Sequence, residues 1–124
     1  MNRRNLRIKI MIVIYQKQLT NFDIDDICLN VFKKKLDDLE DFEKTIINYV
    51  IVNINSLIEF VDAVLDNWSF DRLGFVERSI ILCALAEKNT NLNDKKIVIN
   101  EAIEIAKLYC DDESFKLING ILDI

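Results

Sequence analysis

The residue types best suited to chemistry lie at the start of the chain. The first 20 residues contain no acidic side chain and five basic ones, Arg3, Arg4, Arg7, Lys9 and Lys17. If residues 3–18 form a helix, its three arginines share a sector of about 120° with Tyr15. Guanidinium groups pair with phosphate oxygens, and an exposed aromatic ring stacks on an unpaired base. The spacing therefore indicates an RNA-binding stripe, with a solvated helix face and a buried Tyr15 as the alternative.

Residues for catalysis or metal binding are not arranged in any pattern that we can identify. The chain contains no histidine, which is the commonest general base and the commonest metal ligand. Its three cysteines, Cys28, Cys83 and Cys110, lack CxxC spacing and are odd in number, so neither a disulfide framework nor a zinc site is expected. We therefore expect a protein that is not an enzyme and that binds no metal and no cofactor.

Composition and periodicity predict an all-α fold for these 124 residues. The chain is 51% hydrophobic, has only two glycines and has no proline, whereas β-rich folds use many of both in their turns. Apolar residues recur at helical spacing in most of the chain. This spacing predicts helices over residues 23–36, 41–66, 76–85, 97–109 and 114–122.

Targeting and membrane segments are not expected. The apolar run Ile10–Tyr15 is shorter than the core of a signal peptide, and no cleavage site follows it. No segment approaches the roughly 20 apolar residues of a membrane span. The sequence therefore predicts a cytoplasmic protein.

The most specific motif is the run KIVINEAIEIAKLYCDDESFKLINGILD, residues 96–123. It resembles the signature of the NusB family of transcription antitermination proteins, and the resemblance continues upstream to the basic N-terminus. The matching residues are Arg3, Arg4, Arg7, Lys9, Tyr15–Gln16, Trp68, Asp71–Leu73, Val76–Arg78, Ile99–Ala102, Glu104, Ala106–Lys107, Ser114, Lys116, Asn119–Gly120 and Leu122–Asp123.

The resemblance implies a compact all-α fold of about six to seven helices. They form two packed helical subdomains, residues 1–66 with the basic first helix and residues 67–124 with the signature motifs. The resemblance also favours a helix over residues 3–18, where alternating isoleucines at 8, 10, 12 and 14 would by propensity alone allow a strand.

The resemblance also implies a function in ribosomal RNA transcription. NusB-like proteins bind single-stranded boxA-type leader RNA together with the ribosomal protein NusE, and they join the RNA polymerase elongation complex through other Nus factors. By matching position, the RNA-binding residues are Arg3, Arg4, Arg7, Tyr15 and Lys116. The partner-binding residues are Asp71 and Glu77. The chain after residue 20 is acidic, and its charge suits a basic ribosomal protein.

Several positions depart from the family pattern. Leu82 replaces an arginine, Ala86 a tyrosine, Asp94 a proline and Leu117 a phenylalanine, and only Ile124 follows the signature. These departures predict weaker stacking on RNA rather than loss of function.

Three motif positions have structural interpretations. Trp68 is expected to anchor the core, and Gly120 to permit a close helix contact. Glu101 is expected, with Asn100, to hydrogen-bond the end of a neighbouring helix.

Two other functions stay open at this stage. One is a non-enzymatic protein-interaction or homodimer module, whose N-terminal arginines only solubilise a helix. The other is a stand-alone relative of the RNA-recognition domain of an rRNA cytosine methyltransferase.

Overall fold

The computed structural model describes residues 2–124, which contain α-helices and two short 3₁₀ turns but no strand. The 3₁₀ turns are Leu36–Asp38 and Phe70–Arg72. The six α-helices are α1 (Arg3–Leu19), α2 (Ile24–Phe32), α3 (Asp41–Val64), α4 (Phe75–Asn89), α5 (Lys95–Tyr109) and α6 (Asp112–Leu122). This architecture confirms the predicted all-α class.

The first segment is a helix despite its β-branched residues. Ile10, Val13 and Ile14 are at most 2% exposed, and their spacing is that of one helix face. Ile8 and Ile12, which a strand would place beside Ile10, are only partly buried. Tertiary burial therefore outweighs local β-propensity in α1.

Polar side chains fix where the first and last helices begin. Asn2 accepts a hydrogen bond from the backbone N–H of Asn5 at 2.8 Å. Asp111 accepts one from the backbone N–H of Ser114 at 3.1 Å. Each carboxamide or carboxylate satisfies a donor that the first helical turn leaves free, so both helices start at defined residues.

α3 is kinked near its middle, at Asn53. Its φ of −110° and ψ of 19° are not helical, and its side-chain amide donates to the carbonyl of Tyr49 at 3.0 Å. An asparagine side chain that competes for a backbone carbonyl bends a helix in this way. The kink lets both halves of α3 follow the core.

α3 is also the one helix in residues 2–124 that is long and apolar enough, by length and composition, to cross a membrane. By this measure the expectation that no segment approaches a membrane span is wrong. Core helices meet the same criteria, and α3 places Ile46, Ile47 and Val61 in the core with at most 1% exposure. We therefore interpret α3 as a core helix.

α4 lies at the centre of the fold and packs against α1, α3, α5 and α6. Leu82 and Ala86, two of the departures from the family pattern, are fully buried in this helix. The expectation that these two departures weaken an RNA surface is therefore wrong, because both side chains belong to the core. The predicted boundary between residues 66 and 67 follows α3, and one continuous core joins the helices on its two sides.

Gly120 lies on the exposed side of α6. A Cβ atom built at this position meets no other atom within 4 Å. The prediction that this glycine permits a close helix contact is therefore wrong.

Candidate nucleic-acid interface

α1 contributes Arg7 to a buried ion pair with α4. The Arg7 guanidinium donates through Nε and Nη2 to the two carboxylate oxygens of Glu87, at 2.9 and 2.7 Å. The side chains are 11% and 4% exposed, and Asn93 donates a further hydrogen bond to Glu87 at 2.9 Å. A carboxylate buried this deeply needs such partners, so the pair fixes α1 on α4.

Glu101 of α5 extends this ion pair towards the surface. Its carboxylate accepts from Arg4 Nε and Nη2 at 3.2 and 2.8 Å, and from Arg7 Nη1 at 3.3 Å. The hydrogen bond from Arg4 lowers the pKa of Glu101, and Glu101 in turn raises the pKa of Arg4. Glu101 therefore pairs with two arginines in the first two turns of α1, which confirms the prediction that it hydrogen-bonds the end of a neighbouring helix.

Arg3 is held by an aromatic ring instead of a carboxylate. Its guanidinium carbon lies 3.9 Å from the centroid of the Phe42 ring at the start of α3. A cation stacked on a ring keeps its hydrogen-bond donors free at the edges. Arg3 is exposed, so these donors face solvent.

Two adjoining surface grooves share Asn100 and Glu101 in their linings. Arg3 and Arg7 line the first groove, and Arg4 and Lys116 line the second. The fold thus brings Lys116 of α6 to the same surface as the N-terminal arginines, although they are more than 100 residues apart in sequence. The grooves also contain residues that the sequence analysis did not assign to a site, namely Ile97, Asn100, Lys107, Phe115 and Asn119.

One signal for these additional residues was present in the sequence. Asn100 and Lys107 are seven residues apart, so they lie two turns apart on one face of α5. Phe115 precedes Lys116 in the signature, and it supplies an aromatic side chain to the second groove, which Leu117 does not line. Leu117 instead lines the groove that contains Trp68. Phe115 therefore does not stand at the position of the family phenylalanine that Leu117 replaces.

Tyr15 lies farther along α1, about 16 Å from Arg4 at 1.5 Å per residue, and it is half-buried. The sector between them is not an exposed stripe. Met11 is only 6% exposed, and Gln18 donates to the Ser79 hydroxyl of α4 at 2.7 Å. The prediction of one continuous basic and aromatic stripe is therefore wrong, because this side of α1 faces α4.

A separate acidic groove lies beside the Phe70–Arg72 turn. Glu77, Asp111 and Glu113 line it together with Trp68. Trp68 is 56% exposed, so the prediction that it anchors the core is wrong. Asp71 is exposed on the adjacent 3₁₀ turn. Of the two predicted partner-binding residues, Glu77 thus lines the groove with Trp68, and Asp71 lies on the adjacent turn.

Arg78 holds this groove in shape. Its guanidinium stacks on Phe75 and Phe70, with its central carbon 4.5 and 5.3 Å from the ring centroids. It also donates to the backbone carbonyls of Asp71 and Leu73. This α4 side chain therefore fixes the backbone at Asp71 and Leu73.

Metal and thiol chemistry have no arranged site in the described part of the chain. Residues 2–124 contain no group of three or more Cys, Asp or Glu side chains placed to hold a metal ion. The cysteines are unpaired, and burial raises the pKa of Cys28 to about 11 and that of Cys110 to about 12. The candidate site is therefore the basic surface with its two grooves, accompanied by the acidic groove.

Comparison with known sequences points to one family. The sequence model of the NusB family matches residues 1–124. The chain is 33% identical over 124 residues to the transcription antitermination protein NusB of Listeria welshimeri, covering 98% of this chain and 94% of that protein. It is 32% identical to the protein of the same name from Sulfurimonas denitrificans, covering 98% of this chain and 93% of that protein.

Comparison with solved structures gives the same fold. T. maritima NusB matches with a TM-score of 0.83 and 26% identity, covering 99% of this chain and 89% of that chain. A chain in the crystal structure of antitermination factors NusB and NusE in complex with dsRNA matches with a TM-score of 0.81. That chain is 21% identical, over 98% of this chain and 92% of its own length, so this second likeness shows the shared fold alone.

Proposed function

This chain belongs to the NusB family, and we propose that it is an RNA-binding transcription antitermination factor. The observation that carries the proposal is the family match over the whole chain. The relative from L. welshimeri is covered over 94% of its length. The likeness is therefore to a whole NusB protein, which favours this function over a relative of one methyltransferase domain.

The RNA-binding surface in this proposal is the pair of basic grooves. Arg3 and Lys116 hold backbone phosphates, since both are exposed cations and line adjoining grooves. Arg4 lines the second groove and binds a phosphate when its pair with Glu101 opens. Arg7 lines the first groove with a largely buried side chain, which holds Glu87 and Glu101 in place. Tyr15 supplies a half-buried ring farther along α1 for stacking on a base.

The partner in this proposal is a basic ribosomal protein of the NusE type. It docks on the acidic groove and the adjacent turn, where Glu77 and Asp71, respectively, offer opposite charge. Trp68 supplies an exposed aromatic anchor of the kind that dominates binding at protein interfaces. One of the solved structures with this fold contains NusB and NusE together with dsRNA, which supports the proposed assembly.

The wider role follows from the same assignment. The factor acts without catalysis in the cytoplasm, where it joins the RNA polymerase elongation complex through other Nus factors and supports transcription of rRNA operons. No metal or cofactor takes part in this role.

The proposal is tested by binding of fluorescently labelled RNA. Anisotropy titrations compare a single-stranded boxA-type leader RNA with a scrambled RNA of equal length, each with and without NusE. We expect tighter binding of the boxA-type RNA, and a further gain when NusE is present. Equal and weak binding of both RNAs under both conditions would refute the proposed function.

A further inference from the structure

A single carboxylate lies in the middle of the basic surface. Glu101 binds Arg4 at 2.8 Å and Arg7 at 3.3 Å, and it lines both basic grooves. Carboxylate and phosphate oxygens are the same kind of acceptor for a guanidinium. Glu101 therefore occupies donors that an RNA backbone would use.

The charges in this cluster cancel. The two arginines, Arg4 and Arg7, are balanced by two carboxylates, Glu87 and Glu101. Phosphate binding on single strands depends on cations that replace condensed counterions. A neutral cluster contributes little to that exchange while its internal pairs persist.

The two arginines differ in how firmly they are held. Arg7 keeps both hydrogen bonds to the buried Glu87 if Glu101 moves away. Arg4 has a side chain that is 46% exposed, and in residues 2–124 Glu101 is its only ion-pair partner. Arg4 is therefore the arginine that can leave Glu101 and bind an RNA phosphate instead.

We propose that Glu101 limits the affinity of this surface for RNA phosphates by competing for the guanidinium of Arg4. The inference rests on the proposed RNA-binding function. This competition makes RNA binding selective. Contacts with the RNA backbone alone add little affinity, so tight binding depends on contacts with bases or with a protein partner. Glu101 is a positioning residue here, since it acts on RNA through Arg4.

The test replaces the carboxylate without changing its size. Glu101→Gln should bind a single-stranded RNA about three- to tenfold more tightly than the wild type at low salt. The log-log salt dependence of binding should steepen by about 0.7, the effect of one more neutralised phosphate on a single strand.

Glu104→Gln is the matched control. Glu104 lies three residues along the same helix and lines the same second groove, but its carboxylate bonds Lys107 at 3.2 Å. The substitution removes the same charge without releasing an arginine, and the Lys107 that it frees is already available to a phosphate, because a pair this exposed is screened by solvent. We expect a change in affinity of less than about twofold and an unchanged salt slope.

A double-mutant cycle separates competition from a structural role. Arg4→Ala should weaken RNA binding more in the Glu101→Gln protein than in the wild type, because only the former has an unengaged Arg4. Circular dichroism and thermal melting check that each variant is folded. Glu101→Met, which is uncharged and of similar length, is a second variant and should also bind RNA more tightly with a steeper salt slope.

The outcomes distinguish this inference from the proposed function. If the wild type binds RNA and Glu101→Gln behaves like Glu104→Gln, or if Arg4→Ala costs the same in both backgrounds, the inference is overturned and the function stands. If neither the wild type nor any variant binds RNA, both are overturned. Binding by Glu101→Gln alone would support the competition.

Discussion

Arg7 of α1 and Glu87 of α4 are 80 residues apart in sequence and form a two-point ion pair with distances of 2.9 and 2.7 Å. Both side chains are largely buried. Glu87→Ala would leave the largely buried Arg7 guanidinium with only its longer contact to Glu101, at 3.3 Å, so it should lower the free energy of unfolding by about 3 kcal/mol. Urea unfolding followed by circular dichroism measures the change.

The control for this prediction is an exposed ion pair on α5. Glu104→Ala removes the Lys107 partner, at 3.2 Å and with both side chains about half exposed, and should change stability by less than about 1 kcal/mol. A cost of Glu87→Ala no larger than that of Glu104→Ala would mean that the buried pair does not fix α1 on α4.

Gly120 is a site where the protein can be stabilised. Its φ is not positive, and a Cβ atom at this position would meet open space. Because alanine is the better helix former, Gly120→Ala should raise the free energy of unfolding by about 0.5–1 kcal/mol. Thermal and urea unfolding both report this gain, and a lower melting temperature would show that α6 is packed more tightly than described.

The three thiols should react slowly in the folded protein. Burial raises the pKa of Cys28, Cys83 and Cys110, with that of Cys28 at about 11. The reactive thiolate is therefore scarce near pH 8. A chromogenic disulfide reagent should label all three cysteines more than about tenfold faster in denaturant, and equally fast labelling of the native protein would contradict their burial.

Charge reversal tests the partner surface. Asp71→Lys combined with Glu77→Lys should weaken binding of the basic NusE-type protein by at least about tenfold, because like charges would then face each other. The fluorescence of Trp68, the only tryptophan, should shift on partner binding in the wild type.

Asp37→Lys combined with Asp38→Lys provides the matching control, since both residues are exposed and belong to the first 3₁₀ turn. The control should bind the partner nearly as well as the wild type. Equal binding by both double variants, with intact circular-dichroism spectra, would remove the partner from the acidic groove.

Features that depend on local periodicity were predictable from the sequence. The helices appear where apolar residues recur every three or four positions. The family signature also led to Lys116, which the fold brings to the same surface as Arg4.

Features that depend on contacts between distant helices were not predictable. Helical spacing places Arg7 and Met11 on one face of α1, but only the packing of α4 buries that face. Trp68 was expected in the core because of its size, yet the loop held by Arg78 leaves it 56% exposed. Neither α4 packing nor loop shape leaves a periodic signal in the chain.

The salt dependence of RNA binding tests the central claim most directly. Arg3→Ala, Arg4→Ala and Lys116→Ala together should make the log-log salt slope shallower by about 1.4, because the single-strand phosphate contacts of Arg3 and Lys116 are lost, whereas Arg4 contributes little while Glu101 holds it. The matched control replaces the exposed lysines 33, 34 and 35 by alanine, which removes the same charge outside the two grooves. We predict a shallower slope and weaker binding for the first triple variant, and a nearly unchanged slope for the second. If the first variant melts like the wild type and keeps the wild-type slope, the basic grooves do not bind RNA.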